Sequence, residues 1–312
     1  MFVLTNPYVT VRVDLDRIRA NVREIAARVK VPLLAVIKAQ AYGLGSLQVA
    51  RAIAELIDGF GIFQLQEAVE IDLYRATGKR ALSLGPPVTM DANEYARHGV
   101  TPSVSTIDQA VLLRAAHPAI CVDTGMQRFG CPPEHLDTVI RAGEIKEAFT
   151  HGTRVEHATK LRELLSNRAM KLHAAATSLL DEPQAYLDAV RPGWAIYRGA
   201  ARVRTTLVEV HDSKGPAGYT GFEVPRFGVI LMGYSHGLRQ GICTVNGARR
   251  RVVEVGMQSA FVEIDGRDRA GDPVHLLDDV TDEKAISEAW HTSPQEAMFQ
   301  LCRAGRHEYV GD

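Results

Sequence analysis

A lysine closes an almost unbroken apolar run: Leu33, Leu34, Ala35, Val36 and Ile37 lead directly into Lys38. Burying an ammonium is costly unless it is paired or put to use, and desolvation lowers an amine's pKa towards the nucleophilic range. A lysine so placed is a candidate Schiff-base former. The residues that follow, Ala39-Gln40-Ala41-Tyr42-Gly43-Leu44-Gly45, supply a phenol and two glycines in a strand-to-helix turn, where exposed backbone N–H groups receive phosphate. Schiff-base lysine and phosphate acceptor together point to pyridoxal phosphate. Further polar groups stand just after other apolar runs: Asp123 to Arg128, His151, His173, and Arg191-Pro192-Gly193. Singly, each has an ordinary explanation as a packed histidine or a salt-bridged arginine. Their common placement sets them apart.

The elements that must position these groups are short β-branched or aliphatic runs, each followed by helical spacing. They are Leu33–Lys38, Gly59–Phe63, Ala81–Gly85, Thr101–Ser105, Ala119–Thr124, Glu147–His151, Met170–Ala174 and Ala189–Gly193. Between them, Gln48–Leu56 and Glu67–Arg75 carry single apolar stripes. Eight alternations, without a Gly-rich dinucleotide fingerprint after the first strand, predict an α/β chain whose residues 10–200 form a (β/α)8 TIM-type barrel rather than an open sheet. In such a barrel, functional groups collect at the C-terminal strand ends. After Gly199 helical spacing fades, and strand-like runs follow at Val203–Val210, Phe227–Met232, Arg251–Val255, Ala260–Ile264 and Pro273–Leu277. Residues 201–312 are therefore expected to form a mainly β domain, with helices at Thr281–Ala289 and Pro294–Cys302. The strand-like opening run suggests that residues 1–14 pair with that domain.

Composition narrows the partners. In 312 residues, 36 Lys+Arg against 37 Asp+Glu leave a formal charge of −1, which offers no footprint for nucleic acid or an anionic membrane. A small-molecule partner is the better expectation. Four scattered cysteines, Cys121, Cys131, Cys243 and Cys302, form no Cys-x-x-Cys pair and call for neither a disulfide framework nor a metal. The N-terminal residues lack a secretory pattern, and a cytoplasmic protein is expected.

The motifs, in order, resemble those of the alanine racemase family. Val36 to Gly45 is similar to its cofactor-lysine motif V-I/V-K-A-N-A-Y-G-H-G, and Val122-Asp123-Thr124-Gly125-Met126-Gln127-Arg128-Phe129-Gly130 to V-D-T-G-M-x-R-x-G. Thr150-His151 resembles T-H-F, His173 to Thr177 resembles H-x-A-N-S, Val190 to Tyr197 resembles V-R-P-G-x-x-x-Y, and Gly233 to Gly237 resembles G-Y-A-D-G. The resemblance implies a fold-type III pyridoxal-phosphate racemase acting as a homodimer with composite active sites. It implies that Lys38 holds the cofactor and is one acid/base at the substrate α-carbon, with Tyr234 of the partner subunit as the other. Tyr42, Thr177 and the backbone at Gly193 and Trp194 would grip the phosphate, and His151 would pack beside the cofactor. Arg191, braced by His173, would donate to the pyridine nitrogen, while Arg128 and Met257 would lie near the substrate.

The chain also departs from the family pattern. Cys121 stands where many members carry a carbamylated lysine, Ala176 replaces an asparagine, Leu44 a histidine, and Gln258 an aspartate. The closing R-V-P-R segment with its phosphate-binding tyrosine is reduced to Cys302 to Tyr309, leaving Tyr309 as the candidate substitute. The chain is shorter than typical members, around Arg154–Leu164 and at its end. Decarboxylation or other α-carbon chemistry, and cofactor binding without turnover, are the competing readings.

Overall fold

Short aliphatic runs bounded by polar turns become the strands of the computed structural model, which describes residues 6–311. In chain order these are β1 (Asn6–Asp14), β2 (Leu34–Val36), β3 (Gly59–Ile62), β4 (Ala81–Ser83), β5 (Val100–Thr101), β6 (Ser103–Val104), β7 (Ala119–Cys121), β8 (Glu147–Gly152) and β9 (Lys171–Ala175). The later ones are β10 (Ala201–Asp212), β11 (Arg226–Ile230), β12 (Gly241–Val245), β13 (Ala248–Val255), β14 (Ala260–Glu263), β15 (Pro273–Leu277) and β16 (Gly305–Val310). They fall into two units. One holds Ile18–Ala41 and Ser46–Tyr197; the other holds the described residues through Arg17, Tyr42–Gly45 and those from Arg198 onward.

The first unit is parallel. β2-β3-β4-β5 and β6-β7-β8-β9 form two four-stranded sheets. Only Pro102 lies between β5 and β6; having no N–H, proline cannot donate to the ladder there. β2, β3, β4 and β7 are buried at every position, as expected of parallel strands covered on both faces. The eighth expected strand, Ala189–Gly193, is not a regular strand. It makes isolated parallel bridges, His173 to Ala189 and Leu33 to Val190. Backbone bonds continue across it: Arg191 N–H donates to Ala175 (2.8 Å), and Leu34 and Val36 donate to Val190 and Pro192 (both 2.9 Å). The expected stripe at Gln48–Leu56 is the helix Ser46–Ile53 plus a 3-10 turn, burying Val49, Ala50 and Ile53. That at Glu67–Arg75 splits into Leu65–Glu70 and Leu73–Thr77 because Asp72 takes φ 46°.

The second unit is one eight-stranded, mostly antiparallel sheet in the order β11-β14-β13-β12-β15-β10-β1-β16. β1 pairs antiparallel with β10 and parallel with β16; residues 1–5 of the expected pairing segment lie outside the described residues. β12 and β16 are additional to the expected strands. β12 joins β13 through Asn246-Gly247 at φ 48° and 76°, the left-handed pair that a tight primed hairpin turn requires. The two closing helices, Glu283–Trp290 and Pro294–Cys302, start at the side-chain caps Asp282 and Ser293. Among the described residues no helix is long and apolar enough to cross a membrane.

Candidate active site

Lys38 follows β2 and opens an unusual backbone segment. Ala39, Gln40, Ala41 and Tyr42 have φ between 51° and 58°, and Gly43 has φ 87°. A left-handed turn of L-residues costs about 1–2 kcal/mol per residue and persists only where its surroundings impose it. At its start, Ala39 N–H donates to Glu67 Oε1 (2.8 Å), and Ala41 N–H donates to Ile37 (2.9 Å). At its end, in the sheet unit, His307 Nε2 donates to the Gly43 carbonyl (2.7 Å) and Tyr309 OH to that of Leu44 (3.0 Å). A Cβ on Gly43 would press on Phe299 O, Arg303 N and Cys302 Cβ at 3.3 Å each. The hydroxyl hydrogen of Tyr309 is thus committed to this turn. The Lys38 amine is held below its ordinary pKa, first by burial and then by the Arg128 charge, with Glu67 opposing. Its Nζ lies 6.0 Å from the Phe63 ring.

Behind the lysine runs a chain of buried polar groups. Glu147, Phe149 and His151 alternate onto one face of β8. Arg191 is 3% exposed; its Nη1 donates to His173 Nδ1 and to the His173 carbonyl (2.9 Å), and its Nη2 to the carbonyls of Thr150 and Ala174 (3.2 Å for the latter). Guanidinium only donates, so His173 Nδ1 accepts and its proton sits on Nε2, which donates to Glu147 Oε1 at 2.9 Å. Burial drives the His173 pKa down to about 4, so the imidazole is neutral. Glu147 is pulled to about 2 by His173 and then Arg80, although burial alone would raise it. Arg80 grips its two oxygens at 2.9 and 3.0 Å. Phe149 stacks on His173 (5.5 Å) and lies 5.1 Å from the guanidinium. Four of the five N–H groups of Arg191 are thereby spent, which leaves Nε–H. His151 is also pushed down to about 4, by burial and then by Arg191, Arg128 and Lys38.

The phosphate-type donors are in the same unit. Thr177 Oγ1 accepts from Gly193 N–H (3.0 Å) and Ala195 N–H (3.4 Å), so its own hydrogen is free to donate outward. The Gly193 amide expected to face an anion therefore serves Thr177 instead. The indole Nε1 of Trp194 is buried with no acceptor among the described residues. An amine with depressed pKa, a hydroxyl donor, an orphaned buried indole N–H and an arginine with one donor left fit a phosphorylated, carbonyl-bearing pyridine. Tyr42, half-buried, belongs to the sheet unit.

Cys121 does not replace an anion. Burial raises its thiol to about 11, so it is neutral beside Arg128 and Arg191. Exposed Arg128 instead rests over the Phe129 ring at 4.8 Å. Its loop is shaped by Asp123, whose carboxylate accepts from Gly125 N–H (2.8 Å) and Gln127 N–H (3.1 Å).

In the sheet unit, Tyr234 is 55% exposed and Met257 61%. Gly233 brings them together: a Cβ there would lie 2.3 Å from Gly256 O and 2.4 Å from Met257 C. Tyr234 N–H donates to Gly256 O (2.9 Å). Tyr219, 91% exposed, stands across Gly256, with its ring edge 3.7 Å from where a Gly256 Cβ would be. Glu254 anchors its turn, accepting from Tyr219 N–H (2.9 Å), Thr220 N–H (2.7 Å) and Thr220 OH (2.6 Å).

Sequence reasoning passed over Tyr219, Glu67 and Glu147. For Tyr219 the signal was a large aromatic between glycines, in Gly218-Tyr219-Thr220-Gly221. Glu147 opens an expected strand two residues ahead of Phe149 and four ahead of His151, on their face. Nothing local marks Glu67, which acts across 28 residues on Ala39.

A family model described as "Alanine racemase, N-terminal domain" matches residues 13–201. The biosynthetic alanine racemase of Salmonella typhimurium is 27% identical, covering 96% of this chain and 99% of that protein. An alanine racemase of Azoarcus sp. is 29% identical over 73% of this chain and 76% of its own. Two solved structures share the fold with TM-scores of 0.87. They are the biosynthetic alanine racemase of Pseudomonas aeruginosa (22% identity) and the alanine racemase of Bartonella henselae with covalently bound pyridoxal phosphate (21%). Each match covers 98% of this chain and 100% of the other.

Proposed function

The chain belongs to the alanine racemase family, and from that premise we propose that it is a pyridoxal-phosphate-dependent amino-acid racemase. The observation that carries the reading is Lys38, its amine depressed by burial, in one unit with a buried Arg191 that keeps a single donor free. When bound, pyridoxal phosphate supplies an electron-withdrawing ring that acidifies the α-carbon of an attached amino acid. Lys38 would hold the cofactor through its carbonyl and act as one acid/base at the α-carbon, and a phenol of the partner subunit would act as the other. Thr177, Trp194 and Tyr42 would hold the phosphate, and His151, neutral, would pack beside the ring. Arg191, with its Nε–H left over, would donate to the pyridine nitrogen. Because an arginine keeps its proton, it limits protonation of that nitrogen and favours reversible proton exchange over decarboxylation. Arg128 and Met257 face the substrate, a small amino acid.

Two phenols compete for the second role. Tyr234 carries the motif likeness, but Tyr219 is the more exposed, and Glu254 fixes its turn at three points. That combination of rigid support and full exposure suits a side chain delivered into another subunit's site, and it favours Tyr219. The same surface supports a homodimer with composite sites. Hydrogen bonds running from β9 through residues 189–192 to β2 support a closed (β/α)8 barrel, as does the core cluster joining Leu34, Leu82, Ala119, Cys121 and Phe149. Four free buried cysteines suit a cytoplasmic setting.

The test is incubation of the holoenzyme with L- and D-amino acids, alanine first, in heavy water, reading α-deuteration and enantiomer ratio together. Exchange with inversion is expected. Bound cofactor without any exchange would overturn the racemase reading.

A further inference from the structure

At the opposite ends of the parallel strands from Lys38, a half-open cleft of about 760 Å³ lies over the starts of β4, β8 and β9. Its charged lining comprises Arg80, Arg114, Lys146 and Lys171 against Glu144 and Glu147, so four cations face two carboxylates. The N-terminal face of such a sheet ordinarily carries groups that hold the fold together. Arg80 does so by gripping Glu147, and Arg114 pairs with Glu144. Lys146 and Lys171 do not: among the described residues neither has an acidic partner, although both belong to this one cleft. Their backbones are neighbours, Lys171 N–H donating to the Lys146 carbonyl at 2.9 Å. Facing them is an apolar wall containing Val111 and Leu112, each 55% exposed. Two uncompensated ammonium groups opposite exposed aliphatic side chains are the complement of a small organic anion with an apolar body.

We propose that this cleft binds a small organic dianion, its charged end between Lys146 and Lys171 and its body against Val111 and Leu112. Two cations without acidic partners give this cleft a positive potential, which a dianion neutralises while the wall removes its apolar part from water. Glu147 is common to this cleft and to the chain ending on Arg191, from which it is separated by two hydrogen bonds. No step of the proposed racemisation uses the cleft.

The probe is phenyl phosphate, titrated calorimetrically into holoenzyme with the cofactor site saturated. The expected result is saturable binding of one molecule per chain, weakened about tenfold or more in a Lys146→Ala/Lys171→Ala variant and reduced by added salt. Leu112→Ser should weaken phenyl phosphate while leaving inorganic phosphate unchanged. Both lysine side chains are partly or fully exposed, so folding of the variants is checked by their unchanged circular dichroism and cofactor content. Absence of saturable binding at millimolar phenyl phosphate, or equal affinity in the double-lysine variant, would overturn the proposal.

Discussion

At the scale of single residues, the site rests on groups kept in their less common protonation states. Burial and the Arg128 charge keep part of the Lys38 population nearer the free amine, the form that attacks a carbonyl. Lys38→Ala is expected to remove the visible absorbance of covalently held cofactor while leaving the fold intact, and persistence of that band would unseat Lys38. Tyr219→Phe is expected to keep the band and slow proton removal from one enantiomer far more than from the other, with Tyr234→Phe milder. The reverse order, read from deuterium exchange of each enantiomer, would return the role to Tyr234. His173 and Glu147 set a pH signature. Because the folded pKa of His173 is about 4 against an ordinary 6.5, the unfolded chain takes up the proton first. Stability should therefore fall as pH drops from 6.5 towards 4, by up to about 1.4 kcal/mol per pH unit for this one group. Glu147, depressed to about 2 from 4.5, contributes stability that is complete above 4.5 and lost as pH falls to about 2. Denaturation midpoints between pH 7 and 4 should fall less steeply in His173→Gln; an unchanged slope would contradict the buried neutral imidazole.

At the scale of elements, backbone conformation is stored where the chemistry needs it. The turn after Lys38 holds four consecutive L-residues at positive φ. Gln40, exposed and at φ 56°, has no side-chain hydrogen bond among the described residues to lose, so Gln40→Gly should raise stability by about 1 kcal/mol. A drop in unfolding midpoint would show that the side chain, not the strain, dominates there. The Asn246-Gly247 turn is the opposite case. Asn246 is suited to φ 48° and also bonds to Asp268 and Asp272, so Asn246→Ala should cost more than 1 kcal/mol. The eight alternating runs were readable because aliphatic residues of buried parallel strands are continuous in sequence. Ala189–Gly193 was readable as an apolar run but not as an irregular one, because its Pro192 breaks the ladder only once its neighbours are in place. β16 was illegible, since Arg306, His307 and Glu308 look like surface until β1 pairs beside them.

At the scale of the whole molecule, the prediction concerns assembly. If each site draws its second acid/base from another subunit, Lys38→Ala and Tyr219→Phe proteins, each inactive alone, should regain activity when mixed and allowed to exchange subunits. The ceiling is one intact site per mixed dimer. No recovery after exchange verified by mass would argue for sites complete within one chain.

By itself the sequence determined the candidate cofactor lysine, the order of the motifs, the family they resemble and the change from helical to alternating texture near residue 199. All of these are written in residues adjacent along the chain, where period and spacing carry the information. Only the tertiary structure decided what surrounds them. Glu147 reaches His173 across 26 residues, Glu67 reaches Ala39 across 28, and Tyr309 reaches Leu44 across 265. Those contacts exist because parallel strands and a closing sheet bring distant segments within hydrogen-bond range. The cost of leaving a buried polar group unpaired then dictates which side chains must meet.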